Sequence, residues 1–193
     1  IDLGAVGKGI GCDEARKMLE EADADAAVVS VGGSILTYGK KPDGKPWKIG
    51  IANPRNEDGE SYLGSLTIDG TCSISTSGDY EKYVIEDGVR YHHILDPKTG
   101  YPADSGLISV TIVCDDGWLS DGLSTACFVL GYEDSLPLLE IYQAEAVFVT
   151  EDKEVIVTEE KPRQKYAIIT VAAGDGLKDM FTLTDSSYEQ VEE

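Results

Sequence analysis

The apolar residues of this 193-residue chain come in short runs that end at turn residues. The longest runs, 26–31 and 108–113, have the length of a β-strand. None approaches the ~18 residues that a membrane-crossing helix needs. The pattern therefore predicts a fold rich in strands, with no direct insertion of this chain into a membrane.

Strands and helices are predicted to alternate irregularly along the chain. Strands are predicted at 26–31, 47–52, 63–68, 72–76, 80–85, 89–95, 107–113, 146–150, 154–158 and 167–171. Among these, 26–31 is predicted to be buried, 107–113 to be a central strand and 167–171 to be an edge strand.

A first helix is predicted after the glycine-rich stretch 4–11, with Ala15, Met18, Leu19 and Ala22 at helical spacing on the inner face and the charged residues between them facing outward. A second helix is predicted at 118–130, with Leu123, Ala126, Cys127 and Leu130 facing the core. A third is predicted at 135–142. This order favours the α+β class, with packed helices on an antiparallel or mixed sheet.

The length and composition favour one globular domain over residues 1–193. Within it, 161–193 is a less certain C-terminal extension, and the acidic stretch 186–193 is predicted to fray. The chain begins without Met inside an apparent motif. We therefore expect it to be a piece of a longer protein whose preceding segment is missing.

The formal net charge is -20, which narrows the possible ligands. Nucleic-acid binding needs Lys and Arg to displace counterions from phosphates, so nucleic acid is not expected as a partner. An anionic membrane surface is disfavoured for the same reason. A phosphate-bearing small molecule stays possible if a metal ion or a few local cations offset the charge.

The four cysteines, Cys12, Cys72, Cys114 and Cys127, include no C-x-x-C pair, so no zinc site is indicated. Each has small or apolar neighbours, which favours buried free thiols. Two disulfides are the alternative that the sequence leaves open.

The first candidate motif, D-L-G-A-V-G-K-G at 2–9, precedes the first predicted helix. Small residues let a ligand approach the backbone, and a helix N-terminus favours anions. Lys8 could hold a phosphate there. No Ser or Thr follows the lysine, so this is not a Walker A loop, and a plain structural turn is the alternative.

Two further motifs lie near the middle of the chain. The hydroxyl-rich stretch 73–81 could bind a polar ligand or form a capped turn. His92 and His93 are the only histidines, and neighbours on a strand point to opposite faces, so at most one is expected to face a given site. That histidine could act as a base or as an orienting group, or it could be structural.

The fourth motif, S-D-G-L-S-T-A at 120–126, lies in the second predicted helix. Asp121 and Thr125 are four residues apart, so they share one helix face. A carboxylate and a hydroxyl one turn apart could hold a hard cation such as Mg²⁺. The alternative is that Ser and Asp simply start a helix.

Taken in order, these motifs resemble the FAD:protein FMN transferases of the ApbE type, formerly described as thiamine-biosynthesis lipoproteins. The matching stretches are D-L-G-A-V-G-K-G at 2–9, V-G-G-S at 31–34, W-K-I-G-I-A-N-P at 47–54, S-T-S-G-D-Y-E at 75–81, Y-H-H-I-L-D-P-K-T-G-Y-P at 91–102 and S-D-G-L-S-T-A at 120–126. The resemblance spans residues 2 to about 158. It implies a T-fold-like α+β domain.

The resemblance also implies a function and a set of site residues. Such an enzyme moves FMN from its substrate FAD to a Ser or Thr hydroxyl of a target protein, such as an electron-transfer subunit, and releases AMP. The implied ligands of Mg²⁺ are the Ala5 carbonyl, Asp121 and Thr125, with Ser124 beside them. The residues implied to contact FAD are Asp2, Lys8 and Leu95, and the implied catalytic residues are His93, Asp96 and Asp121.

Two departures from the family pattern accompany these implications. Gly122 stands where the family commonly has Ala, which is expected to loosen the metal-bearing helix slightly, and His92 stands where Ser or another small residue is more frequent. The resemblance further implies an extracytoplasmic setting, either periplasmic or anchored to the membrane by a lipoprotein signal that precedes this chain. The alternative functions are an FAD pyrophosphatase, a non-catalytic flavin-binding protein and an interaction module.

Overall fold

The computed structural model of the chain describes residues 2–55 and 62–158, together with the backbone of two later strands. The helices are α1 (Gly7–Glu21), α2 (Gly117–Leu130) and α3 (Tyr132–Tyr142). The strands are β1 (Ala26–Val31), β2 (Ser34–Gly39), β3 (Trp47–Ala52), β4 (Tyr62–Ile68), β5 (Cys72–Gly78), β6 (Tyr83–Glu86), β7 (Val89–His92), β8 (Leu107–Cys114), β9 (Glu145–Thr150), β10 (Glu154–Val157), β11 (Ala167–Thr170) and β12 (Thr182–Leu183). The predicted α+β class is confirmed.

The main sheet has the strand order β1-β2-β5-β8-β9-β10-β12, and every pair is antiparallel except β10 with β12. All eight residues of β8 are buried, as expected for a β-branched strand with neighbours on both edges. The prediction of a central strand at 107–113 is therefore confirmed, and β8 forms the middle of the molecule.

Two hydrophobic cores lie on opposite faces of this sheet. On one face, Ile49, Ile51 and Leu66 from the small sheet β11-β4-β3 pack against Ile74 and Val113. On the other face, α2 and α3 cover the sheet, with Leu123, Phe128 and Leu139 packed against Val110 and Phe148. The resulting layers are small sheet, main sheet and helices. The helical layer lies next to the motifs singled out above.

Several predicted positions differ from the structure. Strand 26–31 was predicted to be buried, but β1 is the edge strand of the main sheet and is half exposed. The reason is β2, which the sequence pattern did not predict: Gly32 and Gly33, both at positive φ, turn the chain straight back into a hairpin. Met18 and Leu130, predicted to face the core, are 69% and 43% exposed.

Two predictions concern the end of the chain. Strand 167–171 is predicted as an edge strand, and β11 pairs with β4 at the edge of the small sheet. The frayed tail predicted at 186–193 lies outside the described residues.

All four cysteines are buried free thiols, in agreement with the favoured prediction. Burial raises the pKa of Cys12 to about 11 and the pKa values of Cys72 and Cys114 to about 12, and it also raises the pKa of Cys127. Since the thiolate is the reactive species, we expect DTNB at pH 8 to modify no thiol of the folded chain within minutes and all four in guanidinium. Rapid modification of the folded chain would contradict the buried positions.

Glu145 opens β9 in a largely apolar setting, and desolvation raises its pKa to about 7. In the unfolded chain this carboxyl group has a pKa of about 4.3. Between these values the folded state binds more protons than the unfolded state, so this group's contribution to stability falls as pH rises from about 4 to about 7. We expect Glu145→Gln to raise the urea midpoint at pH 8 and to raise it much less at pH 5. Glu151→Gln, an exposed turn residue of the same charge, is the control, and an equal response of both variants would contradict the assignment.

Candidate functional site

Helices α1 and α2 cross at unusually short range because each has a glycine at the crossing. A Cβ atom at Gly9 would overlap the backbone carbonyl of Gly117 and lie 2.8 Å from Cβ of Asp121. A Cβ atom at Gly117 would overlap the carbonyl of Gly9 in the same way. The two glycines thus place the start of α1 directly against the first turns of α2.

Asp121 lies at this crossing with its side chain wholly buried. Its Oδ2 accepts the backbone N–H groups of Lys8 at 3.1 Å and of Gly9 at 3.0 Å, two of the donors that α1 itself leaves unpaired at its N-terminus. Its Oδ1 lies 2.9 Å from Nζ of Lys8, as an ion pair without hydrogen-bond geometry. Asp121 is the fifth residue of α2, so it does not start its own helix, as the alternative interpretation supposed.

A row of hydroxyls, which we call the hydroxyl seam, joins α2 to the main sheet. It consists of Ser34, Ser75, Ser77, Ser120, Ser124 and Thr125. Ser77 Oγ lies 2.8 Å from Ser124 Oγ and 3.1 Å from Thr125 Oγ1, and Ser75 Oγ lies 2.8 Å from Ser120 Oγ. The hydroxyl-rich stretch predicted to bind a ligand or to form a turn therefore lies mostly in β5, where it supports α2.

The turn before α1 lies beside Asp121. Asp2 Oδ1 accepts the N–H of Gly4 at 2.6 Å, and no backbone N–H of the described residues donates to the Ala5 carbonyl. A Cβ atom at Gly122 would lie 3.2 Å from Val6 Cγ1, so the glycine lets this turn approach α2 closely. On its other side, the stem of Lys8 packs against the β1–β2 turn, 3.2 Å from the Cβ position of Gly32.

These groups fit a divalent cation. The buried Oδ1 of Asp121 lacks a hydrogen bond, the Ala5 carbonyl is not used by the backbone, and the Thr125 hydroxyl lies one turn along the same helix. Oxygen donors of this kind suit Mg²⁺. Within the described part of the chain, no group of three or more His, Cys, Asp or Glu side chains is placed to hold a metal ion. A metal here would therefore need backbone, hydroxyl and substrate oxygens.

The two histidines point in opposite directions, as predicted. His92 is buried, with Nε2 3.1 Å from the Ala103 carbonyl and its ring edge-on to Phe128. His93 is exposed, and its Nδ1 lies 3.2 Å from the Lys82 carbonyl. Because a carbonyl can only accept, Nδ1 carries the hydrogen and the neutral ring keeps its lone pair on Nε2.

Two predicted residues lie in the loop after β7. Asp96 Oδ1 accepts the N–H of Lys98 at 2.8 Å, so this carboxylate shapes the turn at 96–100. Leu95 is 53% exposed and pairs with Pro102.

Lys8, Asp121, Ser124 and Thr125 form one connected group, because Lys8 forms an ion pair with Asp121 and both hydroxyls contact the Asp121 carbonyl. Within the described residues, no hydrogen bond or ion pair links His93, Leu95 or Asp96 to it.

Sequence reasoning missed two carboxylate contacts, although Asp79 lies within the stretch 73–81 that was singled out as a candidate motif. Asp13 of α1 accepts the N–H groups of Gly117 at 2.6 Å and Trp118 at 2.8 Å. Asp79, buried at the end of β5, forms a two-pronged pair with Arg55 at 2.8 and 2.6 Å. Both contacts join residues far apart in sequence, and a carboxylate within a predicted helix or turn was the only local signal.

The sequence of this chain matches a known protein family. The ApbE family model matches residues 1–148. The chain belongs to the ApbE family. No helix in the described part of this ApbE chain is both long and apolar enough to cross a membrane.

Curated relatives of this ApbE chain are named FAD:protein FMN transferase. The Treponema pallidum protein is 40% identical over 164 residues, which cover 80% of this chain and 45% of the relative. The Klebsiella pneumoniae protein is 39% identical over 159 residues, which cover 82% and 48% respectively. The chain thus spans about half the length of the curated relatives it matches.

Solved structures agree with this assignment. The ApbE protein of Thermotoga maritima superposes with a TM-score of 0.73 at 38% identity, covering 83% of this chain and 51% of the other. The flavin transferase ApbE of Vibrio cholerae gives a TM-score of 0.66 at 35% identity, with coverages of 78% and 47%. The fold and the family therefore rest on sequence and structure together.

Proposed function

We propose that this chain forms the phosphate- and metal-binding half of an enzyme that moves FMN from FAD to a Ser or Thr hydroxyl of a target protein and releases AMP. The observation that supports it most directly is the buried Asp121 carboxylate. Its Oδ1 lacks a hydrogen bond and faces Lys8, the one cationic side chain in contact with it among the described residues. The names of the relatives, FAD:protein FMN transferase, support the flavin chemistry.

Asp121, the Ala5 carbonyl and the Thr125 hydroxyl, with Ser124 beside them, would hold Mg²⁺. When bound, the ion would act as a Lewis acid on the pyrophosphate of FAD. This is needed because the chain carries a net charge of -20, which otherwise repels an anionic substrate. Lys8 is 36% exposed on its side chain, so its ammonium can exchange the Asp121 carboxylate for a phosphate oxygen.

In the transfer step, the acceptor hydroxyl oxygen forms a bond to the phosphorus of the FMN moiety while the P–O bond to the AMP phosphate breaks. His93 takes the hydroxyl proton at Nε2, the nitrogen that its contact with the Lys82 carbonyl leaves unprotonated. Asp96 is less suited to this role because its Oδ1 already accepts the Lys98 N–H. Asp96 holds the loop that presents Leu95, and Leu95 and Asp2 would contact FAD.

The test measures AMP release from FAD with Mg²⁺ and with EDTA, beside an acceptor protein probed for covalent flavin by in-gel fluorescence. Metal-dependent AMP together with a fluorescent acceptor band supports the transferase. Metal-dependent AMP without labelled acceptor favours an FAD pyrophosphatase. Binding of FAD without release of AMP would make the chain a flavin-binding protein. The absence of both FAD binding and turnover would refute the proposal for this chain.

The setting of the reaction is also part of the proposal. The family resemblance supports an extracytoplasmic enzyme, periplasmic or anchored by a lipoprotein signal, with flavinylated electron-transfer subunits as acceptors. Fractionation of cells that produce the natural protein tests this, and recovery of the protein only with cytoplasmic markers would contradict it.

A further inference from the structure

The N-termini of α1 and α2 share an unusual feature: neither helix is capped by its own residue. The N-cap position of α1 is Val6, which has no polar side chain. The N-cap position of α2 is Asp116, whose side chain makes no capping hydrogen bond. Each helix therefore leaves its first N–H groups to be satisfied from elsewhere.

Each helix obtains its cap from the other. Asp121 of α2 accepts the first-turn N–H groups of Lys8 and Gly9 in α1. Asp13 of α1 accepts the first-turn N–H groups of Gly117 and Trp118 in α2, one with each carboxylate oxygen. The four hydrogen bonds form a closed ring around the crossing, which we call the reciprocal cap.

The ring ties the position of one carboxylate to the other. The Asp121 carboxylate can accept the N–H groups of α1 only while α2 keeps its distance from α1 and its rotation about its own axis. The two hydrogen bonds that the Asp13 carboxylate accepts fix the first residues of α2, four and three positions before Asp121. Carboxylate bonds to helix N-termini are charge-assisted and strongly directional. Removing Asp13 frees the start of α2 and thereby the carboxylate that follows it.

We propose that Asp13 is a positioning residue for Asp121, which sets the place of the metal-binding carboxylate without touching substrate or metal. The functional part of this inference rests on the proposed function. Its structural part, the coupling of Asp13 to the N–H groups of Lys8 and Gly9, does not.

The experiment compares the wild-type chain with Asp13→Ala, Asp13→Asn and the control Thr150→Ala. The hydroxyl of Thr150 accepts the N–H of Glu154 at 3.0 Å in the β9–β10 turn. Thr150→Ala therefore removes a comparable hydrogen bond away from the crossing. The first readout is hydrogen exchange at the amides of Lys8 and Gly9, relative to amides of the buried strand β8. The second is the affinity for Mn²⁺ together with ADP, followed by electron paramagnetic resonance.

In Asp13→Ala we expect exchange at Lys8 and Gly9 to accelerate about 5-fold more than at β8, the effect of losing one cap. We expect the affinity for Mn²⁺ with ADP to fall about 10- to 100-fold, as for other groups that orient a metal ligand. Asp13→Asn keeps one acceptor oxygen and should recover part of both effects. Thr150→Ala should change neither, whatever it does to overall stability.

Unchanged exchange at Lys8 and Gly9 in both Asp13 variants would overturn the inference. So would equal changes in Thr150→Ala, because the effect would then be loss of stability alone. If the wild-type chain fails to bind Mn²⁺ with ADP, the proposed function is refuted, while the exchange data still decide whether Asp13 positions Asp121. If Asp13→Ala does not fold, Asp13→Asn provides the comparison.

Discussion

Under the proposed function, Asp121→Asn is expected to lower metal-dependent AMP release from FAD by about 100-fold or more. The substitution would remove a ligand of a Lewis-acid metal and with it several kcal/mol of transition-state stabilisation. The substitution preserves the size of the side chain. It also keeps one oxygen that can accept the N–H groups of Lys8 and Gly9. The fold should therefore persist, and the loss should appear in chemistry and metal affinity.

The measurement is AMP release at saturating FAD over a range of Mg²⁺ concentrations, with thermal unfolding to verify the fold. Asp104→Asn removes the same charge from an exposed position and should retain activity, which controls for the change in net charge. Wild-type turnover by folded Asp121→Asn would exclude Asp121 as a metal ligand.

Gly9→Ala is expected to destabilise the chain by about 3 kcal/mol, at the upper end for overpacking, because the added methyl group meets backbone that cannot rotate away. Its Cβ atom would overlap the Gly117 carbonyl, so the helices must separate at the crossing. Separation breaks the contacts of Asp121 with α1. The variant should therefore lose stability and the site together.

Gly7→Ala is the matched control, two residues earlier on the same helix. A Cβ atom at Gly7 would have no neighbour within 4 Å. Because Gly7 is the first residue of α1, the helical preference for Ala should stabilise the chain by less than the roughly 0.5–1 kcal/mol found in a helix interior. Thermal unfolding should then show a Tm lowered by roughly 6–12 °C for Gly9→Ala and a slightly raised Tm for Gly7→Ala. Similar Tm values for both variants would mean that the crossing is not tightly packed.

Local sequence patterns predicted the features that depend on neighbours in the chain. The β-branched residues of β8 marked the central strand, and four-residue spacing placed Asp121 and Thr125 on one face of α2. The alternation of strands correctly separated buried His92 from exposed His93. The family resemblance selected Lys8 and Asp121, and the structure shows these two in contact.

Features that depend on distant partners could not be predicted in this way. The hairpin of β1 and β2 depends on two glycines at positive φ, which the pattern read only as the end of a strand. The contact of Asp13 with α2 joins residues about 104 positions apart, and Asp79 with Arg55 joins two different loops. A helix pattern shows which face is polar but not which polar group has a partner.

The hydroxyl seam has a consequence for how this architecture tolerates change. Apolar helix interfaces can accept a slightly larger side chain by sliding a fraction of a turn, whereas paired hydroxyls hold only at matching positions. Two hydroxyl pairs, Ser75 with Ser120 and Ser77 with Ser124, therefore fix the position of α2 along β5. Sequence change should therefore accumulate in loops such as 96–100, while α2 keeps a constant spacing between the sheet and the Asp121 carboxylate.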